Sequence, residues 1–131
     1  MQTGLRRQDL VYPELSYAIV GVLIEVFREL GSGYQEKYYQ KSVALEFAKR
    51  KIKFQEQAFV PLTYKGESIG RYYIDFVVES KIAIEIKKDK PFSKKNIEQV
   101  VAYLKANDLK LGILANFTRE GVKFRRILNI N

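Results

Sequence analysis

The segment from Tyr72 to Lys88, YYIDFVVESKIAIEIKK, most constrains the fold, because it places charged side chains within two otherwise apolar strands. A turn centred on Ser80 would join these strands into a hairpin. Asp75 would then lie opposite Glu85 and point to the same face, which Lys87 shares by strand alternation. The other face would be entirely apolar, with Ile74, Phe76, Val78, Ile82, Ile84 and Ile86. Charges embedded in this way need partners, a metal or a function.

The length of 131 residues favours one domain with a substantial core. We expect a polar N-terminal arm over residues 1–12 and a single domain over residues 13–131. No apolar run is long enough to cross a bilayer. The first residues, MQTGLRRQDL, lack an apolar stretch behind their arginines, so they do not resemble a secretory signal. We therefore expect a cytoplasmic protein.

The chain contains neither cysteine nor histidine. This excludes disulfides, thiolate metal sites and catalysis by Ser-His-Asp or Cys-His groups. Catalysis would have to depend on carboxylates, lysine, tyrosine or a hard metal ion.

A net charge of +8 makes the chain a candidate for binding polyanions. The basic residues that follow the hairpin are predicted to contact phosphates: Lys88, Lys90, Lys94 and Lys95. The alternative is that these lysines only solvate a loop and the start of a helix.

Hydrophobic periodicity predicts helices over residues 14–30, about 35–51 and about 94–107, the last capped by Ser93. Strands are predicted over residues 53–64, in the hairpin and over residues 111–117, and residues 121–130 are a candidate edge strand. The order is α-α-β-β-β-α-β. Glu36 lies in the first turn of the second helix, on its inward stripe, although an acidic residue there is also favoured by the helix dipole alone.

Asp75, Glu85 and the backbone carbonyl of Ile86 would form an all-oxygen site suited to Mg²⁺ or Mn²⁺. A divalent ion there could activate water and stabilise charge on a phosphoryl oxygen, with Lys87 beside it. The alternative from spacing alone is a cross-strand salt bridge on a solvated face of the sheet.

The pattern of Asp75, nine residues, then Glu85-Ile86-Lys87 resembles the core of the PD-(D/E)xK nuclease superfamily. Three blocks in order, IEVFRELGSGYQEKYYQKSVALEF, YYIDFVVESKIAIEIKK and LGILANF, resemble its family named for a GxxExxxR motif. This resemblance implies a restriction-endonuclease-like α/β (α+β) fold with an αβββαβ core, in which helices flank a mixed central sheet.

The resemblance also implies roles for individual residues. Gly33 and Glu36 match the GxxE part, whereas Gln40 stands where the family arginine is expected. Glu85 and Lys87 match the ExK signature, and Ile74 precedes Asp75 where proline is frequent. The implied catalytic residues are Glu36, Asp75, Glu85 and Lys87. Gln99 and Tyr103 match a QxxxY element of exonuclease-like branches and share one helical face, although such a pair is also ordinary at a helix surface.

Two functions from different classes follow. The first is a Mg²⁺- or Mn²⁺-dependent nuclease that hydrolyses phosphodiester bonds of DNA, or alternatively of RNA. A partner protein or a homodimer could supply the second half of its substrate groove. The second is a catalytically inactive module on the same fold that binds nucleic acid or another protein. A weaker third alternative is a structural protein whose positive charge has no partner.

Overall fold

The computed structural model describes residues 11–130 and contains three helices and five strands over that range. Their bounds are α1 (Pro13–Leu30), α2 (Glu36–Lys49), β1 (Phe54–Tyr64), β2 (Glu67–Val78), β3 (Ile82–Lys88), α3 (Lys94–Asn107), β4 (Leu111–Thr118) and β5 (Gly121–Leu128). The predicted order of elements is confirmed, and the candidate edge strand is present as β5. The fold is α+β and consistent with a restriction-endonuclease-like core.

The five strands form one mixed sheet in the order β1-β2-β3-β4-β5. Neighbouring strands are antiparallel except β3 and β4, which are parallel. Parallel neighbours need a long crossover, and α3 provides it. The ends of β3 and β4 therefore lie at the same end of the sheet.

Apolar side chains form two core layers, one on each face of the sheet. The first layer joins α1 and α2 to the sheet, through residues such as Leu23, Tyr39 and Phe47. The second layer joins α3 to the other face, with Val100, Tyr103 and Leu104 against the strands. The three helices predicted from periodicity contribute apolar side chains to these layers, so helices cover both faces of the sheet.

Local signals fix the start of α3. The Ser93 hydroxyl accepts a hydrogen bond from the Asn96 N–H at 3.0 Å, and the Asn96 side chain accepts one from the Ser93 N–H at 3.2 Å. This reciprocal pair is a capping box, which satisfies two of the free N–H groups at the helix start. The predicted cap at Ser93 is confirmed.

The hairpin of β2 and β3 has the predicted register. Val78 pairs with Ile82 and Phe76 with Ile84, which centres the turn on Ser80. Glu79 and Ser80 have φ values of 53° and 56°, as in the mirror-image turns that suit the twist of hairpins.

The prediction that Ile74 shares a face with Phe76 and Val78 is wrong. Ile74 belongs to the core layer of α3, whereas Phe76 and Val78 belong to the layer of α1 and α2. Strict alternation fails because β2 is distorted at Asp75. The β1–β2 pairs skip this position, and Gln57, between the paired residues Glu56 and Ala58, has a φ of 53°. The distortion places Asp75 where regular pairing on β2 is interrupted.

Two residues of the predicted N-terminal arm fall within the described range. Val11 and Tyr12 are half-buried against the first core layer, and residues 1–10 lie outside the described residues. None of the helices described over residues 11–130 has the length and apolar character needed to cross a membrane.

Candidate active site

Asp75 and Glu85 each bind the backbone of the other's strand. The Asp75 N–H donates to Glu85 Oε1 at 3.1 Å, and the Ile86 N–H donates to Asp75 Oδ2 at 2.8 Å. The regular β2–β3 pairing ends at Phe76 and Ile84, so carboxylates here replace main-chain hydrogen bonds. The two acidic side chains therefore bridge the strands at the point where regular pairing stops.

The remaining two carboxylate oxygens also have donors. Gln40 of α2 donates its amide N–H to Asp75 Oδ1 at 3.0 Å, and the Tyr72 hydroxyl donates to Glu85 Oε2 at 3.0 Å. The ammonium of Lys87 lies 3.7 Å from the same Glu85 oxygen. All four carboxylate oxygens are thus satisfied, which allows Asp75 and Glu85 to remain only 9% and 6% exposed.

Burial raises the pKa values of both carboxyl groups. Desolvation is the main cause for Asp75, whose pKa rises to about 6 although the Ile86 N–H and Gln40 oppose the rise. Desolvation, followed by the nearby charge of Asp75, raises the pKa of Glu85 to about 7. Desolvation, with a further contribution from Glu85, also raises the pKa of Tyr72, so Tyr72 remains a hydrogen-bond donor. When both are ionised, Asp75 and Glu85 carry more negative charge than the neighbouring Lys87 ammonium offsets. A bound cation would supply the missing positive charge.

A cleft of about 560 Å³ opens beside this pair, between the starts of α2 and α3 and the end of β3. Three lysines line this basic cleft, Lys87, Lys88 and Lys90, together with Gln35, Glu36, Pro91, Ser93 and Asn96. Glu36 is half-buried there and raises the pKa of Asp75 by charge repulsion. The cleft therefore combines the carboxylate of Glu36 with three ammonium groups and two helix N-termini, an arrangement suited to an anionic substrate.

The sequence model of the PD-(D/E)XK nuclease superfamily matches residues 13–127. The chain belongs to this superfamily. The solved structure of SSO0001 is similar in fold, with a TM-score of 0.50 and 16% sequence identity over 72% of this chain and 50% of that one. The chain thus spans half the length of SSO0001. No curated protein matches the chain significantly.

The superfamily signature residues are brought together by the fold. Asp75, Glu85 and Lys87 meet through the contacts given above, and Glu36 faces them from α2. Of the predicted phosphate contacts, Lys88 and Lys90 line the cleft. Lys94 and Lys95 are exposed at the start of α3, and Lys94 lies 4.0 Å from Glu98.

Gln99 and Tyr103 are placed differently. Tyr103 packs in the core layer of α3 and is 5% exposed, and burial raises the pKa of its hydroxyl. Within residues 11–130, neither side chain forms a hydrogen bond with the carboxylates. Their assignment to a secondary site stays a prediction.

Sequence reasoning missed three residues at the site. In the sequence Gln40 is only a departure from the family motif, but in the structure it donates a hydrogen bond to Asp75. Tyr72 begins the hairpin segment, and no pattern in the sequence predicts its hydrogen bond to Glu85. Asn116 is 6% exposed, donates to the Lys90 carbonyl at 2.8 Å and keeps its own Oδ1 without a partner in the described structure. The signal available in the sequence is a polar residue within the otherwise apolar segment LGILANF.

The oxygen donors at the site meet the needs of a small divalent metal ion. No group of three or more acidic side chains arranged to hold a metal is present among residues 11–130. Two adjacent carboxylates nevertheless fit Mg²⁺ or Mn²⁺, because these ions take one or two protein carboxylates and keep several waters. The Ile86 N–H is already bound to Asp75, which places the backbone of that residue next to the pair.

Proposed function

We propose that this protein is a Mg²⁺- or Mn²⁺-dependent nuclease that hydrolyses phosphodiester bonds of DNA. One observation carries the proposal: two buried carboxylates interlock across β2 and β3 with the Lys87 ammonium 3.7 Å from Glu85. Burying a charged cluster of this kind costs free energy, so a function in the cluster would explain its presence. We further propose that the chain is a member of the GxxExxxR family, from the blocks around Glu36 and Glu85.

Asp75 and Glu85 would hold the ion, with the Ile86 carbonyl as an additional oxygen donor. The bound ion would lower the pKa of a water and offset negative charge on the phosphoryl group. Lys87, fixed beside Glu85, would orient the attacking water or neutralise charge that develops on the phosphate. Burial of the cluster strengthens each of these electrostatic interactions.

Two residues of α2 would complete the site. Glu36 lies on the cleft wall, where it adds negative charge near Asp75. Gln40 replaces the family arginine and holds Asp75 Oδ1 by a neutral hydrogen bond. A neutral donor leaves more negative charge on Asp75 than an arginine would, which favours a bound cation.

A cleavage screen with single-stranded, double-stranded and branched DNA and RNA, in Mg²⁺ and in Mn²⁺, tests the proposal. Glu85→Ala should abolish cleavage because it removes an ion ligand. Lys87→Ala should lower the rate by roughly 10²–10³-fold with little change in metal affinity, because its role is in the transition state. Glu56→Gln, at an exposed position of β1, is the matched control and should cleave normally.

Wild-type activity in Lys87→Ala would contradict the role of that residue. Salt-dependent binding without cleavage, in both metals, would favour the non-catalytic module instead. Calorimetric titration of Mg²⁺ and Mn²⁺ into the wild type and Glu85→Ala measures metal affinity directly. It shows whether a protein that does not cleave has also failed to bind the metal.

A further inference from the structure

The β1–β2 hairpin extends well beyond the rest of the sheet. Its strands have 11 and 12 residues, but β2 pairs with β3 only from Phe76 to Val78. Among the described residues, no strand pairs with the outer hairpin, residues 58–74, on the β3 side. Because β2 runs antiparallel to β3, the outer hairpin projects from the end of the sheet where Lys87 and the basic cleft lie. The outer hairpin therefore begins next to Asp75 and Glu85 and extends away from the sheet.

The two faces of the outer hairpin differ. On one face, Val60 and Tyr72 pack against the core layer of α3, and Tyr72 reaches Glu85. Phe59 and Tyr73 form a cross-strand pair on the opposite face, and each is 43% exposed. Their ring centroids are 5.7 Å apart with an interplanar angle of 61°. Two aromatic rings thus remain open to solvent a few residues from the candidate catalytic centre.

Arg71 adds a cation to this aromatic face. Its guanidinium lies 4.4 Å from the centroid of the Phe59 ring. Within the described residues it forms no ion pair, and its side chain is exposed. The face therefore combines stacking surfaces with an unneutralised positive charge on a chain whose net charge is +8.

We propose that Phe59, Arg71 and Tyr73 form a stacking surface for unpaired bases, so that the substrate carries a single-stranded segment next to the cleaved phosphate. This rests on the proposed nuclease function and narrows its substrate class. Aromatic rings and guanidinium planes stack on any base, whereas the bases of a duplex are already stacked on each other. Charge favours nucleic acid over a second copy of the chain, because a symmetric contact would bring two Arg71 side chains into one small patch.

The test measures binding rather than cleavage. A labelled oligo-thymidine strand, an abasic strand of equal length and a duplex are titrated in Ca²⁺ with wild type and with Phe59→Ala/Tyr73→Ala. The double variant should lose about tenfold or more in affinity for the oligo-thymidine strand. Affinity for the abasic strand and the duplex should change by less than about twofold, because these ligands offer no free base faces. The salt dependence should be unchanged, since aromatic side chains release no counterions.

Two further variants serve as controls for the binding experiment. Tyr17→Ala removes a ring that is 81% exposed on α1 and should bind like wild type. Tyr73→Phe retains the ring and should keep the affinity of the wild type, which shows that the ring rather than the hydroxyl binds the base. Thermal melting of each variant accompanies the titrations.

Several results would overturn the inference: equal losses for all three ligands, no loss for any of them, or no nucleic-acid binding by the wild type. Conversion of a dimer to a monomer by the double variant, seen by sedimentation, would instead identify the face as an interface between copies. Failure of the proposed function gives a different result. If the wild type cleaves nothing but the double variant selectively loses oligo-thymidine binding, the stacking surface is supported and the proposed nuclease function is rejected.

Discussion

At the scale of single residues, the site is defined by how each carboxylate oxygen is satisfied. Four donors from three elements hold two acidic groups inside the protein: Gln40 from α2, Tyr72 and the Asp75 N–H from β2, and the Ile86 N–H from β3. Each donor offsets part of the cost of burial. Loss of one should therefore affect both stability and the geometry of the site.

Tyr72→Phe tests this at the oxygen of Glu85 that faces Lys87. We expect a loss of about 0.5–1.5 kcal/mol in the free energy of unfolding, because one hydrogen bond is removed without a change in packing. We also expect a several-fold lower cleavage rate. Chemical denaturation and a cleavage assay measure the two effects. Tyr73→Phe removes the neighbouring, exposed hydroxyl and is the matched control. Equal behaviour of the two variants would show that the Tyr72 hydroxyl has no role.

The raised pKa values of Asp75 and Glu85 predict how stability depends on pH in metal-chelated protein. Below the ordinary values of 3.8 and 4.5, the stabilisation from proton binding is fully present, and it is lost as pH rises through about 6 and 7. The melting temperature should therefore fall by several degrees between about pH 5 and pH 7.5, since each pKa unit corresponds to about 1.4 kcal/mol.

The chain suits this measurement because it contains no histidine to titrate in the same range. Asp75→Asn/Glu85→Gln should flatten the dependence, since neither replacement ionises. A melting temperature that rises with pH in the chelated wild type would contradict the assignment.

At the scale of elements, α3 determines how closely the second core layer approaches the sheet. Gly112 of β4 lies under this helix, and a Cβ placed there would be 2.7 Å from Val100 Cγ1. Val100 is 1% exposed, so it has no room to move. The close approach of α3 to β4 therefore requires glycine for steric reasons.

Gly112→Ala should lower the free energy of unfolding by about 1–3 kcal/mol, because α3 must shift outwards to relieve the steric overlap. The same substitution should cost less in a Val100→Ala background, which a double-mutant cycle measures as a coupling energy. Gly21→Ala is the control, and it should raise the free energy of unfolding rather than lower it. Its new Cβ would meet only the flexible end of Arg50, and alanine favours the helix over glycine. Additive effects of Gly112→Ala and Val100→Ala would show that this overlap is not the cause.

At the scale of the whole molecule, the arrangement of charge matters more than its sum. The basic cleft, the outer hairpin and the exposed start of α3 all lie around the end of β3, where the carboxylates are. A second basic group, Lys49 and Lys51, lies at the end of α2 and is also exposed. A polyanion attracted by net charge alone would respond equally to loss of either group.

Lys94→Gln/Lys95→Gln should weaken binding of unrelated DNA sequences by similar factors, because flexible ammonium groups contact phosphates rather than bases. The log–log salt dependence should become shallower by about 0.9 for each duplex phosphate that the variant no longer neutralises. Lys49→Gln/Lys51→Gln removes the same charge and should leave the slope unchanged. Titrations at several salt concentrations measure it, and identical slopes for both double variants would place the nucleic acid elsewhere.

The sequence by itself determined the elements and the local geometry of the hairpin. Periodicity located three helices and four strands, with a fifth as a candidate, and the turn centred on Ser80 placed Asp75 opposite Glu85. These predictions succeed because strand alternation, hairpin symmetry and helix capping are set by residues close together in the chain.

Only the tertiary structure decided what surrounds the two carboxylates. Gln40 reaches Asp75 across 35 positions of the chain, and no local pattern reveals such a hydrogen bond. The distortion at Asp75, which moves Ile74 into the layer of α3, likewise depends on how β1 and two core layers pack around β2. Packing of distant elements sets the burial of the acidic pair, and burial in turn raises its pKa values, because desolvation is a property of the assembled fold rather than of any segment.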